Sequence, residues 1–134
     1  MRLFDVLGPV MIGPSSSHTA GAARMGYVAR RLLGVKPVRA EITLHGSFAT
    51  TGRGHGTDRA LVAGILGLQP DDPRLPESFA LAARQGLAFT LGTAELRGAH
   101  PNTARIRLTG ETGRTLTLQA ASVGGGRIRV TQID

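Results

Sequence analysis

The chain contains no cysteine. That single absence excludes disulfides, zinc–thiolate centres and a self-contained iron–sulfur site. Aromatic residues make up only 4% of the sequence, so platforms for stacking nucleic-acid bases are sparse. No apolar run approaches the ~18 residues of a membrane span. The opening "MRLFDVLGP" is not a signal peptide, and a cytoplasmic location is expected. Lysine is nearly missing: Lys36 is the only one, so 15 of the 16 basic residues are arginine. The net charge is +7, yet the arginines are spread along the chain and "RR" at 30–31 is their longest run. This distribution fits a solvated, arginine-rich surface better than a nucleic-acid surface. An acidic partner subunit fits the charge equally well.

What is present is a chain of 134 residues, 41% hydrophobic and 19% charged, enough for one domain with one core. Residues 1–12 read as an entry segment. Ser17 or Thr19 is a candidate N-cap for a helix whose apolar positions Ala22, Met25, Val28, Ala29, Leu32 and Leu33 recur at helical spacing until Gly34. "VRAEITLHG" alternates as a strand over 38–46, "SFATTGRGHGT" is a glycine-rich loop, and a second helix covers roughly 57–67. Pro76 suits the first turn of a third helix ending before Gly86. The remainder is strand-like: "LAFTLGTAEL", "TARIRLTG", "RTLTLQAASV" and "RIRVTQI", with "GETG" as a hairpin turn and "GGG" as a turn or bulge. The expected class is α+β, with about three helices on one face of a mixed, mainly antiparallel sheet of about five strands. Residues 1–134 read as one domain.

Three stretches carry chemistry. "GPSSSHTAGAARMG", residues 13–26, places Ser15, Ser16, Ser17 and Thr19 at a helix start, where free N–H groups and the positive dipole end suit a carboxylate or phosphate. His18 adds a group that titrates near neutral pH. A helix start needs only one capping hydroxyl, which leaves the other polar residues unexplained. In "TGRGHGTDRA", His55 lies between Gly54 and Gly56 and precedes Thr57 at a strand-to-helix junction. That setting suits a general base better than an ordinary loop histidine. His45 reads as a satisfied structural histidine. In "GAHPNTARIRL", His100 and Asn102 are weak candidates, because a turn before a strand accounts for them. "RGHGTD" is not followed by the Gly-Lys-Ser/Thr of a P-loop, and no GxSxG elbow occurs. The four histidines fall on separate elements, so no metal site is expected on this chain.

"IGPSSSHTAGAARMG", "LHGSFATTGRGHGTDRALVAGILG", "HPNTARIRL" and "SVGGGRIRVTQID", in that order and spacing, closely resemble the beta chain of bacterial iron–sulfur-dependent L-serine dehydratase. The likeness covers essentially the whole sequence. It implies a lyase, L-serine ammonia-lyase, that converts L-serine to pyruvate and ammonia in amino-acid catabolism and gluconeogenesis, without pyridoxal phosphate. It also implies a 4Fe–4S cluster held by an alpha chain, and an active site formed between two chains. On the family's pattern the position of His55 is the α-proton base, and His18 binds substrate or moves a proton in the same site. Ser15, Ser16, Ser17 and Thr19 would hold the carboxylate, with Gly54, Gly56, Thr57 and Asn102 lining the site. The expected partners are the alpha chain and L-serine, in a homodimer of this domain or a higher hetero-oligomer, with no nucleic acid and no membrane. An exposed apolar or glycine-rich face is expected where the alpha chain docks. Beta chains of this type usually continue into a small regulatory ACT domain, whereas this sequence stops at Asp134, so no such domain is expected in it. The fold also resembles the allosteric substrate-binding domain of some phosphoglycerate dehydrogenases. That likeness supplies the alternative: a non-catalytic module that binds serine or another small anion and regulates a partner enzyme.

Overall fold

Alternating residues make one-faced strands, and here they build a sheet with one dry side and one wet side. The computed structural model describes residues 4–6, 17–51 and 56–134. Its strands are β1 (Phe4–Val6), β2 (Pro37–Leu44), β3 (Ala88–Thr93), β4 (Thr103–Gly110), β5 (Thr115–Gly124) and β6 (Arg127–Ile133), in the order β1-β6-β5-β4-β2-β3. Every neighbouring pair is antiparallel except β2 with β3. A parallel pair needs a long crossover. Helices α2 (Ser47–Thr51), α3 (Thr57–Ile65) and α4 (Ser78–Gln85) lie in that connection. Helix α1 (Ser17–Leu33) packs on β4, β5 and β6, and α3 packs on α1. The α+β class read from the sequence is therefore observed, and the mixed sheet gains the three-residue edge strand β1.

The dry side carries Ile42, Leu44, Ile106, Leu108, Leu118, Ile128 and Val130, all buried. On the same strands Arg39, Glu41, Arg105, Arg107, Arg127 and Arg129 alternate with them and are exposed. Arg105 donates to Gln119 Oε1 through Nε (3.1 Å) and Nη2 (2.9 Å), and Arg107 faces Glu41 across the β2–β4 register. Such surface pairs stabilise by about 1 kcal/mol at most. Among the described residues Leu32 is the one exposed large hydrophobic side chain.

Local boundaries differ from expectation in three places. Residues 47–51 are helical, because the Ala49 and Thr50 N–H groups both return to the Gly46 carbonyl (3.0 and 3.1 Å). The α1 helix already runs at Ser17, so Thr19 lies inside its first turn rather than at its cap. Strand β2 stops at Leu44, since His45 donates its N–H to the Thr103 carbonyl and Ser47 to that of Pro101. The third helix meets expectation, with a 3₁₀ turn at Leu75–Glu77 before α4 and Gly86 closing it in the left-handed region.

Two glycines set how closely α1 and α3 cross. A Cβ on Gly64 would overlap the Ala23 carbonyl and reach within 2.7 Å of the Tyr27 nitrogen. One on Gly26 would overlap the Leu61 carbonyl and reach within 2.8 Å of the Ile65 nitrogen. Both obstacles are backbone and cannot swing aside, so each methyl group forces the helices apart. Gly64→Ala is expected to lower stability by about 1–3 kcal/mol, read as a lower urea midpoint at unchanged slope.

Candidate functional site

The first turn of α1 carries no acidic residue, so no carboxylate of that turn competes for its free N–H groups. Ser17 and His18 open the helix, and Thr19 is half-buried on that turn. Ala20, Ala22 and Ala23 are buried behind it. Gly21 lets the helix press against β5: a Cβ there would overlap Ser122 Oγ and lie 2.8 Å from Ser122 Cβ.

The second motif arrives beside it. Gly56 caps α3 with φ of 90°, a left-handed conformation that side-chain-bearing residues adopt only with strain. The turn it makes sets Thr57 and Asp58 into buried positions, 2% and 5% exposed. Asp58 Oδ1 accepts from the Arg59 N–H at 2.7 Å, which suits a carboxylate in the first turn of a helix. A Cβ built on Gly56 would stand 3.7 Å from Thr19 Oγ1. Two helix N-termini, from stretches more than thirty residues apart in sequence, thus share one corner.

The third side of the corner comes from the ends of β4 and β5. The Ser122 N–H donates to the Asn102 carbonyl (2.9 Å), tying the two strands just behind Gly21. His100 Nδ1 accepts from the Asn102 N–H (3.0 Å), and Thr103 Oγ1 donates to the His100 carbonyl (2.6 Å). A neutral His100 ring therefore carries its proton on Nε2. Asn102 Oδ1 is buried and has no hydrogen-bond partner among the described residues. His100, Asn102, Ser122, Val123, Gly124, Arg127 and Arg129 line a cleft of about 490 Å³. His45 lies apart from this, its Nδ1 accepting from the Leu96 N–H at 2.9 Å, which agrees with a structural role.

Of the residues singled out in the sequence, Thr19, Gly56 and Thr57 stand where the two helix starts meet, and Asn102 lies at the strand ends tied to Ser122 behind Gly21. Ser17 and His18 open α1. Ser15, Ser16, Gly54 and His55 lie outside the described residues. A family model for the serine dehydratase beta chain matches residues 3–85, a span that includes both helix-opening motifs. The chain belongs to the serine dehydratase beta chain family. It is 46% identical over 132 residues to the probable L-serine dehydratase beta chain of Bacillus subtilis (strain 168), covering 98% of this chain and 60% of that one. The L-serine dehydratase beta chain of Peptoniphilus asaccharolyticus is similar to the same extent. "L-serine dehydratase 2" of Escherichia coli (strain K12) is 42% identical over 78 residues, which is 53% of this chain and 16% of that protein. The chain thus spans about 60% of the length of its two beta-chain relatives.

Two buried polar residues escape sequence reasoning. Ser122, 2% exposed, precedes a glycine run that reads only as a turn. Arg24 was grouped with the solvated arginines, yet it is 9% exposed; its place one turn beyond Gly21 was the available signal. Among the described residues no group of three or more His, Cys, Asp or Glu could hold a metal, and no helix is long and apolar enough to cross a membrane.

Gly56→Ala is expected to cost about 1–2 kcal/mol through left-handed strain. Gly92→Ala, where a Cβ would meet open space, should shift stability by less than about 0.5 kcal/mol. Paired thermal melts check both.

Proposed function

We propose that this chain is the beta subunit of an L-serine dehydratase (L-serine ammonia-lyase), forming pyruvate and ammonia from L-serine together with an alpha chain. The observation that carries the reading is the meeting of Thr19 with Gly56, which joins the serine-rich motif to the "GHGTD" motif in one corner. Membership of the serine dehydratase beta chain family supports the substrate.

A 4Fe–4S cluster finds no ligand set here. The sequence has no cysteine, and the described residues contain no alternative cluster of ligands. On this reading its ligands belong to the alpha chain, and what this chain contributes is binding and proton transfer. The α1 start, with Ser15, Ser16, Ser17 and Thr19, holds the carboxylate by N–H and O–H donors. His55, one residue before the Gly56 cap, removes the α-proton as its C–H electron pair forms the new double bond and the β-hydroxyl leaves. His18, at the opening of α1, supplies the proton that carries the hydroxyl away as water. The aminoacrylate product then tautomerises and hydrolyses to pyruvate and ammonia in solution. Asn102 and Thr57 close the walls of the site. The complex works in the cytoplasm, as a pair of such domains or a larger hetero-oligomer.

His55→Ala in the reconstituted complex is expected to lower turnover by about 10²–10⁴-fold while leaving subunit association and the cluster spectrum unchanged. Exchange of the substrate α-proton with solvent deuterium should fall with it. Near-normal turnover would remove His55 as the base, and an effect on serine dependence alone would favour a regulatory serine-binding module.

A further inference from the structure

The helix that opens with Ser17 carries one guanidinium whose burial is unexplained. Arg24 Nε and Nη2 are both buried and have no hydrogen-bond partner among the described residues. Burial pulls its pKa below the ordinary arginine value, with Tyr27 acting the other way, yet an arginine keeps its charge in a protein. Other arginines find acceptors: Arg30 donates to the Ile65 carbonyl (2.9 Å), Arg74 to Asp72 and Arg105 to Gln119. A buried cation without an anion is unfavourable, and a carboxylate joining it relieves the cost.

Its place on the helix points back to the site. Seven residues make nearly two turns, so Ser17, Gly21 and Arg24 share one face of α1. Helical side chains lean toward the N-terminus, which lays the arginine stem over the turn of Ala20 and Gly21. Gly21 has no side chain to block that path, and Ser122 behind it is hydrogen-bonded to the strand end that carries Asn102. Nε and Nη2 form one edge of the guanidinium, the edge that grips a carboxylate with two parallel hydrogen bonds. Asn102 Oδ1 is the complementary orphan, a buried acceptor with no donor. An α-amino acid carries both missing groups, a carboxylate and an ammonium.

We propose that Arg24 is a carboxylate-binding residue, its Nε and Nη2 donating to the carboxylate of an α-amino acid whose ammonium donates to Asn102 Oδ1. This deepens the dehydratase reading and rests on it for the identity of the amino acid, L-serine. The α1 N–H groups and hydroxyls then share the carboxylate with Arg24 rather than holding it alone.

The test uses the complex of this chain with its alpha chain, and L-alanine, which keeps the carboxylate and ammonium but has no hydroxyl to eliminate. L-alaninamide, which keeps the ammonium but carries a neutral amide in place of the carboxylate, serves as the control. Titration calorimetry on the wild-type complex should show L-alanine binding more tightly than L-alaninamide. Arg24→Met should weaken L-alanine about ten- to a hundredfold, the loss of a charge-assisted pair, and erase that preference. Arg24→Lys, which keeps the charge without the fork, should fall between. Asn102→Ala should weaken both probes alike. Arg24→Met should melt no lower than wild type, since it removes an unpaired buried charge. Unchanged L-alanine binding in Arg24→Met would overturn the proposal. So would weaker association of the two chains at unchanged L-alanine affinity, which would put the carboxylate on the alpha chain. Should Arg24→Met fail to fold, full affinity in Arg24→Lys would overturn it equally. A wild-type complex that binds L-alanine through Arg24 but makes no pyruvate would sink the dehydratase reading and leave this one standing.

Discussion

Backbone rests directly on backbone where α1 crosses α3, and the rest of the molecule depends on that contact. Gly26 and Gly64 remove the side chains that would hold the helices at an ordinary separation. The gain is not the burial of two glycines but the alignment of two helix beginnings, Thr19 on one and Gly56 on the other. The sheet serves the same end. Gly21 presses α1 onto Ser122, and Ser122 is tied to Asn102, so the ends of β4 and β5 meet the same corner. The elements that meet here are held in position by packing.

Charge in this corner is one-sided. The α1 start has no acidic residue in its first turn, Arg24 Nε and Nη2 are buried without a partner among the described residues, and the cleft beside Ser122 is lined by His100, Arg127 and Arg129. Asp58 is the exception, and its carboxylate is engaged by the Arg59 N–H. Each of these features is costly or neutral for folding and favourable for holding an anion. On the proposed reading, together they suit a carboxylate-bearing molecule. The orphaned Asn102 oxygen adds the acceptor that a simple inorganic anion would not use.

Much of the fold was legible from the order of the residues. Alternation in "TARIRLTG" placed Ile106 and Leu108 inside and Arg105 and Arg107 outside, as found. Gly86 ended its helix by taking the left-handed conformation at the cap, φ 78°. The short α2 helix was missed, since "SFATT" lacks the length for an apolar period and forms through returns to a single carbonyl, that of Gly46. The site was legible as motifs but not as geometry. Nothing local in "SSSHT" and "GHGTD" says that the two meet; that follows from the glycine crossing, in which Gly26 and Gly64 belong to neither polar run. Arg24 was misjudged because composition counts arginines without asking which face of a helix each one occupies. Ser122 was passed over because a buried serine at a strand end has no sequence signature of its own.

The central claim is that this corner becomes an active site only against a second chain. The direct measurement is pyruvate formation from L-serine, under anaerobic conditions, by the wild-type chain alone, by the cysteine-bearing alpha chain alone and by the two mixed. Turnover confined to the mixture, saturating at a fixed ratio of chains, is the predicted result. Full turnover by the alpha chain alone, with this chain altering only its dependence on serine, would contradict the account and make the corner an effector site.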